Sequence, residues 1–364
     1  MRIALLGDIA LVGRYDRQHS LDVDKRLLEI QKVTKTCDFV VANLEAPLTS
    51  KTTTRACKGV YLRSDPTNVA TLKYLGVTHV TLGNNHIFDF GVEGKEDTIR
   101  ILKENDIAFV GLNFGPSLLE CGEDRALLEG FCCLSANGLR YGKKIGRLMR
   151  LEERTVNHFL DTAKEMNCLP IISAHYGVEG VHYPSVEHRN MFHFLAEKHD
   201  FILHGNHPHA VQGIESFGES LLIYSQGNLC FDELNDTSIK GLVLRQTVDE
   251  RESIVVVLEI EGSKLKRHEV IGFSDCETGA QKRSTELEER VKNYSSVFSL
   301  SEKEFCEIRK NACEELKASA PKRSLSFLRS RLNYRYICAY INGRLHAKKY
   351  NKLFSKFMKK ELAK

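Results

Sequence analysis

Two kinds of hydrophobic pattern follow one another along the first part of the chain. Short apolar runs predict buried strands, whereas apolar residues spaced three or four positions apart predict helices. The predicted strands are Ile3–Leu6, Phe39–Ala42, Val77–Leu82, Ala108–Val110, Pro170–Ala174 and Phe201–Leu203. The predicted helices are Leu21–Thr36, Pro66–Leu75, Lys95–Asn105, Arg154–Glu165 and Glu187–Lys198. This alternation is typical of a layered α/β protein with a largely parallel sheet.

The pattern changes after these elements. Leu221–Tyr224, Leu242–Gln246 and Ser253–Glu261 follow one another without a helix between them, so we expect antiparallel strands that add a second sheet. From about Ala280 onward the spacing is helical. We therefore predict one domain over residues 1–278 and a helical C-terminal extension over residues 279–364.

The extension becomes strongly basic from residue 321. Residues 321–364 contain 13 basic and one acidic residue, whereas the 364-residue chain as a whole has a net charge of only +4. Apolar residues recur among these basic ones at spacings of three and four, which is typical of an amphipathic helix. They are Leu325, Leu328, Leu332, Tyr336, Leu353, Phe354, Phe357 and Met358.

Two roles are open for this tail. Its apolar stripe either packs on the acidic body of the protein or docks on anionic lipid or a membrane-associated polymer-assembly partner. Nucleic acid is a less favoured partner, because no recognition motif accompanies the charge.

The composition also bears on the compartment. The start of the chain, Met1–Asp8, is typical of a buried strand and not of a signal peptide. The eleven cysteines form no Cys-x-x-Cys pair, as expected for free thiols in a reducing cytosol. We expect a cytoplasmic protein that can attach peripherally to the inner face of the membrane.

Polar residues at the ends of the predicted strands are the main chemical signal. Ligands of open α/β sheets bind beyond the carboxyl ends of the strands, so we expect these side chains to share one site. Carboxylate, amide and imidazole donors suit one or two divalent ions, and Mn²⁺, Zn²⁺ and Fe²⁺ all fit. The candidate ligands are Asp8, Glu45, Asn85, His175, His207 and His209. For the two histidines around Pro208, strand alternation would bring both rings to one face, whereas His204 is expected to point away.

Four further residues are candidates for other roles near this site. Asp89 either positions a neighbouring histidine or caps a turn, and Arg63 either meets an anionic substrate or forms a surface ion pair. Glu179 either orients a histidine or is a plain loop carboxylate, and Asn228 either faces the cleft or shapes a turn. We take Arg63, Glu179 and Asn228 as candidate substrate-binding residues.

The order of these motifs resembles that of the capsule-synthesis CapA family, which is linked to poly-γ-glutamate and belongs to the calcineurin-like metallophosphoesterase superfamily. The resemblance covers about residues 1–235. The motifs are Gly7-Asp8, Asn43-Leu44-Glu45, Asn84-Asn85-His86 with Asp89-x-Gly91, His175-x-Gly177-x-Glu179, His207-Pro208-His209 and Gly227-Asn228. The resemblance implies a four-layer α/β/β/α sandwich.

The resemblance also implies roles for individual residues. By this resemblance, the Glu45 carboxylate bridges two metal positions, and His86 protonates a leaving group. The other candidate ligands each coordinate one of the two metals. One departure is present: the superfamily often has Asp-x-His in its first motif, but this chain has Asp8-Ile9-Ala10. One of the two metal positions therefore lacks a ligand.

Two functions follow as expectations. The first is a metal-dependent hydrolase of a phosphate ester or related anionic linkage, acting on a small molecule or polymer in capsule, polyglutamate or surface-polysaccharide biosynthesis, with His86 and Asp89 as catalytic residues. The alternative is a non-hydrolytic accessory component that binds metal or polymer within a polymer-assembly complex. The Asp8-Ile9-Ala10 sequence favours the alternative, and the intact Asn85-His86 pair favours the hydrolase.

Overall fold

A computed structural model describes residues 1–53, 60–136, 148–235, 243–244, 246–247, 249–275, 279–319 and 334–358. Its helices are α1 (Val23–Thr34), α2 (Val69–Tyr74), α3 (Gly91–Glu104), α4 (Glu153–Glu165), α5 (Val186–Ala196), α6 (Thr285–Ser296), α7 (Glu302–Ser319) and α8 (Tyr334–Phe354). The strands of its first half are β1 (Arg2–Ile9), β2 (Phe39–Leu44), β3 (His79–Thr81), β4 (Ala108–Val110), β5 (Ser117–Cys121), β6 (Asp124–Cys132), β7 (Leu169–His175) and β8 (Ile202–Asn206). The later strands are β9 (Ile214–Phe217), β10 (Ser220–Ile223), β11 (Asn228–Cys230), β12 (Leu234–Asn235), β13 (Val243–Leu244), β14 (Glu252–Glu261), β15 (Lys264–Asp275) and β16 (Gln281–Arg283).

The strands form two large sheets. The first has the order β16-β15-β14-β1-β2-β3-β4, with β11 also paired to β1. Its half from β1 to β4 is parallel, and its half from β14 to β16 is antiparallel. The second has the order β5-β6-β7-β8-β10-β9, with parallel pairing from β6 to β10 and antiparallel pairing at both edges.

The expected antiparallel pairing is present, since β10 pairs in this way with β9, and β14 with β1 and β15. The expectation that these late strands add a sheet of their own is wrong. β10 pairs in parallel with β8, and β14 joins the first sheet beside β1. Leu221 and Ile223 of β10 are buried in the apolar core between the two sheets. Packing in this core determines which strand pairs with β10. The apolar run alone does not indicate the pairing partner.

The two sheets pack on each other and are covered by helices on their outer faces. Alternate residues of a strand face either the other sheet or the helices. Ile3 and Leu5 of β1 are buried between the sheets, whereas Ala4 and Leu6 pack against α1, α2 and α3 on the other face. In the second sheet, Leu128 of β6 faces the same inter-sheet core, and Leu127 packs in the cluster that contains α4 and α5. The predicted four-layer α/β/β/α sandwich is confirmed.

The C-terminal region also contacts this sandwich. The stretch predicted as helical from about residue 280 begins with β16, and α6 follows it with its N-terminus capped by Ser284. Phe354 and Phe357 are buried in the cluster formed by α4 and α5. The tail positions Leu325, Leu328 and Leu332 lie outside the described residues, and the domain boundary at residue 278 stays a prediction. No helix among the described residues is long and apolar enough to cross a membrane.

Candidate metal centre

The parallel strands of both sheets bring the candidate ligands to one edge of the sandwich. Asp8 lies near the end of β1, Glu45 directly follows β2, and His175 is the last residue of β7. All three are buried, with at most 1% of the side-chain surface exposed. Asp8 and Glu45 lie together because β1 and β2 are neighbouring parallel strands of the first sheet, whose carboxyl ends meet at one edge. His175 belongs to the second sheet and reaches them because the two sheets pack face to face.

The Glu45 carboxylate lies at the centre of the cluster. Its Oε1 atom is 3.7 Å from Nε2 of His175 and 3.7 Å from Nε2 of His209. It is also 3.8 Å from Nε2 of His86. These separations exceed hydrogen-bond lengths and are close to the spacing of about 3.4 Å expected between two ligands of one tetrahedral ion.

Asp8 is held by donors from two directions. Its Oδ1 accepts a hydrogen bond from Nδ2 of Asn43 at 2.6 Å, and its Oδ2 accepts one from the backbone N–H of His207 at 3.1 Å. Nδ1 of His209 is 3.5 Å from Oδ2. These contacts fix the carboxylate in the orientation that a metal ligand requires.

His175 and Asn85 meet on the other side of Glu45. Nε2 of His175 is 2.9 Å from Oδ1 of Asn85, and its Nδ1 is 3.3 Å from Nδ2 of Asn43. The His175 and His207 rings are 4.6 Å apart between centroids. Asn43 thus contacts one ligand on each side of the cluster.

His207 and His209 reach the cluster in an unexpected way. Both follow the end of β8, and both have left-handed backbone conformations, with φ of 95° and 56°. The expectation that strand alternation turns both rings to one face is therefore wrong, because the chain is no longer extended there. Non-glycine residues adopt this conformation at a cost of about 1–3 kcal/mol, and such strain is concentrated at functional sites.

The ligand atoms form two overlapping groups that share Glu45. One group contains Glu45, His175 and His207, and the other contains Asp8, Glu45 and His209. Within each group the ligand atoms lie within 4.8 Å of one another. The donor set is oxygen and imidazole nitrogen, which suits borderline divalent ions such as Mn²⁺, Zn²⁺ and Fe²⁺.

The local electrostatics favour a cation. Burial lowers the pKa of His209, but the negative charges of Glu45, Asp8 and Glu179 outweigh burial and raise it to about 9. Burial raises the pKa of Asp8, while the charge of His209 opposes that shift. Both shifts follow from carboxylates held close together away from water, an arrangement that a divalent ion would stabilise.

His86 lies beside this cluster and is oriented by Asp89. Its Nδ1 is 2.5 Å from Oδ2 of Asp89, which also accepts a hydrogen bond from the N–H of Leu62 at 2.8 Å. Asn84 holds the turn, because its Oδ1 accepts from the backbone N–H of His86 at 3.0 Å. The ring therefore directs Nε2 toward Glu45.

The remaining predicted residues have different surroundings. Glu179 is exposed but forms a third possible ligand group with His207 and His209. The Oδ1 atom of Asn228 lies 2.8 Å from Nδ1 of His209, and its Nδ2 donates to the carbonyl of Glu250, so its amide orients a candidate ligand.

Arg63 and His204 each hydrogen-bond to backbone carbonyls outside the ligand cluster. Arg63 is exposed, with its Nη1 near the carbonyls of Ser50 and Lys51. Its role as a substrate contact stays a prediction, as do the substrate-binding roles of Glu179 and Asn228. His204 is buried, and its Nε2 lies 2.8 Å from the carbonyl of Leu6.

Apolar side chains line the side of the site where the first motif departs from Asp-x-His. Ala10 is fully buried in a small cluster with Val12, Ala46, Leu62 and Phe231. The ring of Phe231 packs edge-on against His209 at 5.1 Å. The group that contains Asp8 therefore has three candidate ligands. Ala10 stands where the Asp-x-His motif would supply a fourth.

Sequence reasoning assigned no role to Asn43 or Phe231. Asn43 lies on β2, two positions before Glu45, which directly follows the strand. Residues two apart in an extended chain point to the same face, and this spacing was the available signal. Nothing in the sequence pattern distinguishes Phe231 from other buried aromatic residues.

The fold and the cluster together define an α/β/β/α protein with a candidate divalent-metal centre. The model of the family described as bacterial capsule synthesis protein PGA_cap matches residues 2–233, and the chain belongs to this family. The resemblance inferred from the motifs is confirmed.

Three relatives are similar to this chain over part of their length. The PGA biosynthesis protein CapA of Bacillus subtilis is 25% identical over 63% of this chain and 63% of its own length. The capsule biosynthesis protein CapA of Bacillus anthracis is 24% identical over 64% and 60%. A probable polyglutamine synthesis accessory protein of Mycobacterium tuberculosis is 24% identical over 62% and 65%. The chain thus spans less than two thirds of the length of these relatives.

Two solved structures that resemble this chain have low sequence identity to it. A hypothetical protein from Thermus thermophilus has a TM-score of 0.46 and 15% identity over 75% of this chain and 99% of its own. A putative 5′-nucleotidase from Staphylococcus aureus has a TM-score of 0.46 and 14% identity over 81% and 58%.

Proposed function

We propose that this protein is a metal-dependent hydrolase of a phosphate ester or related anionic linkage. The observation that carries the proposal is the shared position of Glu45 in two groups of possible metal ligands, with His86 adjacent. Two positions that share a carboxylate suit in-line displacement at phosphorus, because attacking and leaving oxygens can each be stabilised.

The positions of the candidate ligands assign them to two ions. Asp8, Glu45 and His209 would hold one ion, and Glu45, Asn85, His175 and His207 would hold the other. When bound, these ions would activate water and neutralise charge on a phosphoryl oxygen.

The chain's own acid–base group is His86. The Asp89 carboxylate holds its Nδ1 and thereby keeps Nε2 directed into the site. In that orientation Nε2 donates a proton to the departing oxygen as the bond to phosphorus breaks. Asn228 fixes His209, and Asn43 fixes Asp8, so that the site changes little during the reaction.

We place this activity in the biosynthesis of capsule, polyglutamate or surface polysaccharide, since the chain belongs to a capsule synthesis family. The substrate is then an anionic small molecule or polymer. A cytoplasmic location agrees with the nine free cysteines among the described residues, because reducing compartments keep thiols free.

A second candidate function has one observation in its favour. Buried Ala10 and Phe231 put apolar groups beside Asp8 and His209, so this position has fewer ligands than its neighbour. An incomplete second position suits a non-hydrolytic accessory component that binds metal or an anionic polymer without turnover.

Phosphate release from phenyl phosphate with Mn²⁺ separates the two candidates. The hydrolase proposal predicts Mn²⁺-dependent release that His207→Ala with His209→Ala abolishes. His158→Ala, which alters an exposed histidine on α4, should leave release unchanged. Stoichiometric Mn²⁺ binding by the wild-type chain without phosphate release from aryl or alkyl phosphates would contradict the hydrolase and favour the accessory role.

A further inference from the structure

The N-terminal half of α8 presents large apolar side chains to water. Ile337, Tyr340, Ile341 and Leu345 are 52%, 64%, 53% and 60% exposed. They are four of the twelve large apolar side chains exposed in the described residues, yet they lie within one short stretch. Spacings of three and four put them on one face of the helix, and a contiguous exposed apolar face marks an interaction site.

Basic residues continue the same face of the helix. Arg344, Lys348 and Lys352 are exposed, and their spacing of four aligns them with Ile337 and Ile341. The sequence from residue 334 to residue 358 contains no aspartate or glutamate. The outward face is therefore apolar toward its N-terminal end and positively charged toward its C-terminal end.

The other end of this helix is fixed to the body of the protein. Tyr350 donates a hydrogen bond to Oε1 of Glu187 at 2.8 Å, and Lys356 forms an ion pair with Glu153 at 2.5 Å. Phe354 is only 2% exposed. Tyr350 and Phe354 lie on the inward face of the helix, and Lys356 follows its last turn. Among the described residues, none that packs α8 on the body covers the outward face.

We propose that the outward face of α8, formed by Ile337, Tyr340, Ile341, Arg344, Leu345, Lys348 and Lys352, docks on the surface of a bilayer that contains anionic lipid. The apolar side chains enter the boundary between headgroups and acyl chains, and the basic side chains contact lipid phosphates. The proposal goes beyond the hydrolase function and does not depend on metal binding.

Two other occupants fit the face less well. A second copy of the same face would bring two clusters of positive charge together. Nucleic acid would engage the basic side chains through its phosphates but would gain nothing from the exposed isoleucines and leucine. The combination of an apolar stripe with positive charge favours lipid.

The test is co-sedimentation of the full chain with vesicles of phosphatidylcholine, with or without phosphatidylglycerol. The wild-type chain should pellet with phosphatidylglycerol vesicles. The triple variant Ile337→Ser, Ile341→Ser, Leu345→Ser should bind them at least about tenfold more weakly. A matched control changes exposed apolar residues elsewhere, Leu21→Ser, Leu28→Ser and Phe114→Ser, and should bind like the wild type.

A charge variant tests the second half of the face. Lys348→Gln with Lys352→Gln should weaken binding about fivefold per lysine, and added salt should weaken wild-type binding. Lys25→Gln with Lys32→Gln on α1 is the control and should have no effect. Failure of the wild-type chain to pellet would overturn the proposal. So would self-association that the triple serine variant abolishes, or binding of duplex DNA in place of vesicles.

Discussion

Oδ2 of Asp89 lies 2.5 Å from Nδ1 of His86, while Nε2 of the same ring lies 3.8 Å from Oε1 of Glu45. The imidazole thus connects a buried carboxylate on one side with the candidate metal cluster on the other. This arrangement supports a proton donor that is positioned by Asp89 and acts at the cluster.

The first prediction concerns this pair. His86→Ala should slow hydrolysis of phenyl phosphate by about 10²-fold or more, because a poor leaving group needs a proton. p-Nitrophenyl phosphate should be affected less, since its leaving group departs as a stable anion. Asp89→Asn should show the same dependence on leaving group with a smaller loss, measured as kcat for both substrates.

Metal content is the control for this prediction. Both variants should retain wild-type levels of Mn²⁺, because neither side chain is among the candidate ligands. An equal loss on both substrates would contradict the role of His86 as a proton donor.

The second prediction concerns Glu129 in β6. Burial raises the pKa of Glu129 to about 7, although its Oε1 accepts hydrogen bonds from the N–H groups of Gly111 and Gly130. The folded state therefore holds a proton that the unfolded state releases near its ordinary pKa of 4.5. The contribution to stability is fully present below pH 4.5 and declines as the pH rises through 7, by up to about 3 kcal/mol.

Urea unfolding at pH 4.5 and pH 8 measures this effect. Glu129→Gln keeps an acceptor for both N–H groups and removes the titration, so its stability relative to the wild type should rise from pH 4.5 to pH 8. Parallel changes of the two proteins with pH would contradict the shifted pKa.

The strand β6, which lies next to the edge strand β5, shows where the hydrophobic pattern was insufficient. Its residues from Ala126 to Cys132 are all buried, so the strand lacks the polar–apolar alternation that marks a half-exposed strand. Parallel strands covered on both faces have near-continuous apolar runs, and such runs do not distinguish strand from helix. The half-exposed elements, such as α1 and α3, were predicted to within a few residues because one face of each meets water.

The site was more accessible to sequence reasoning than the sheet order. Asp8, Glu45 and His175 lie at strand ends, and the position of a strand end is readable from where its apolar run stops. The convergence of His207 and His209 depends on positive φ angles at two non-glycine residues. No pattern of residue types predicts that conformation.

The third prediction concerns the attachment of α8 to the body. Phe354 is buried and packs edge-on against the ring of His188 at 5.0 Å. Phe354→Ala should lower the free energy of unfolding by about 3 kcal/mol, because it leaves a cavity in a well-packed cluster. Met358→Ala, at a side chain that is 39% exposed, should change it by less than about 0.5 kcal/mol.

Chemical denaturation of the full chain provides this comparison. Equal stability of the Phe354→Ala and Met358→Ala variants would mean that α8 does not pack on α4 and α5 in solution.

The central claim is that Glu45 joins two metal positions, and calorimetric titration with Mn²⁺ tests it most directly. The wild-type chain should bind one or two ions, and Glu45→Gln should weaken binding at least about 100-fold because a carboxylate shared by both ligand groups is removed. Glu129→Gln, which replaces an equally buried carboxyl group outside the cluster, should bind like the wild type. Titration of Glu45→Gln that matches the wild type, or a wild-type chain that binds no Mn²⁺, would contradict the account.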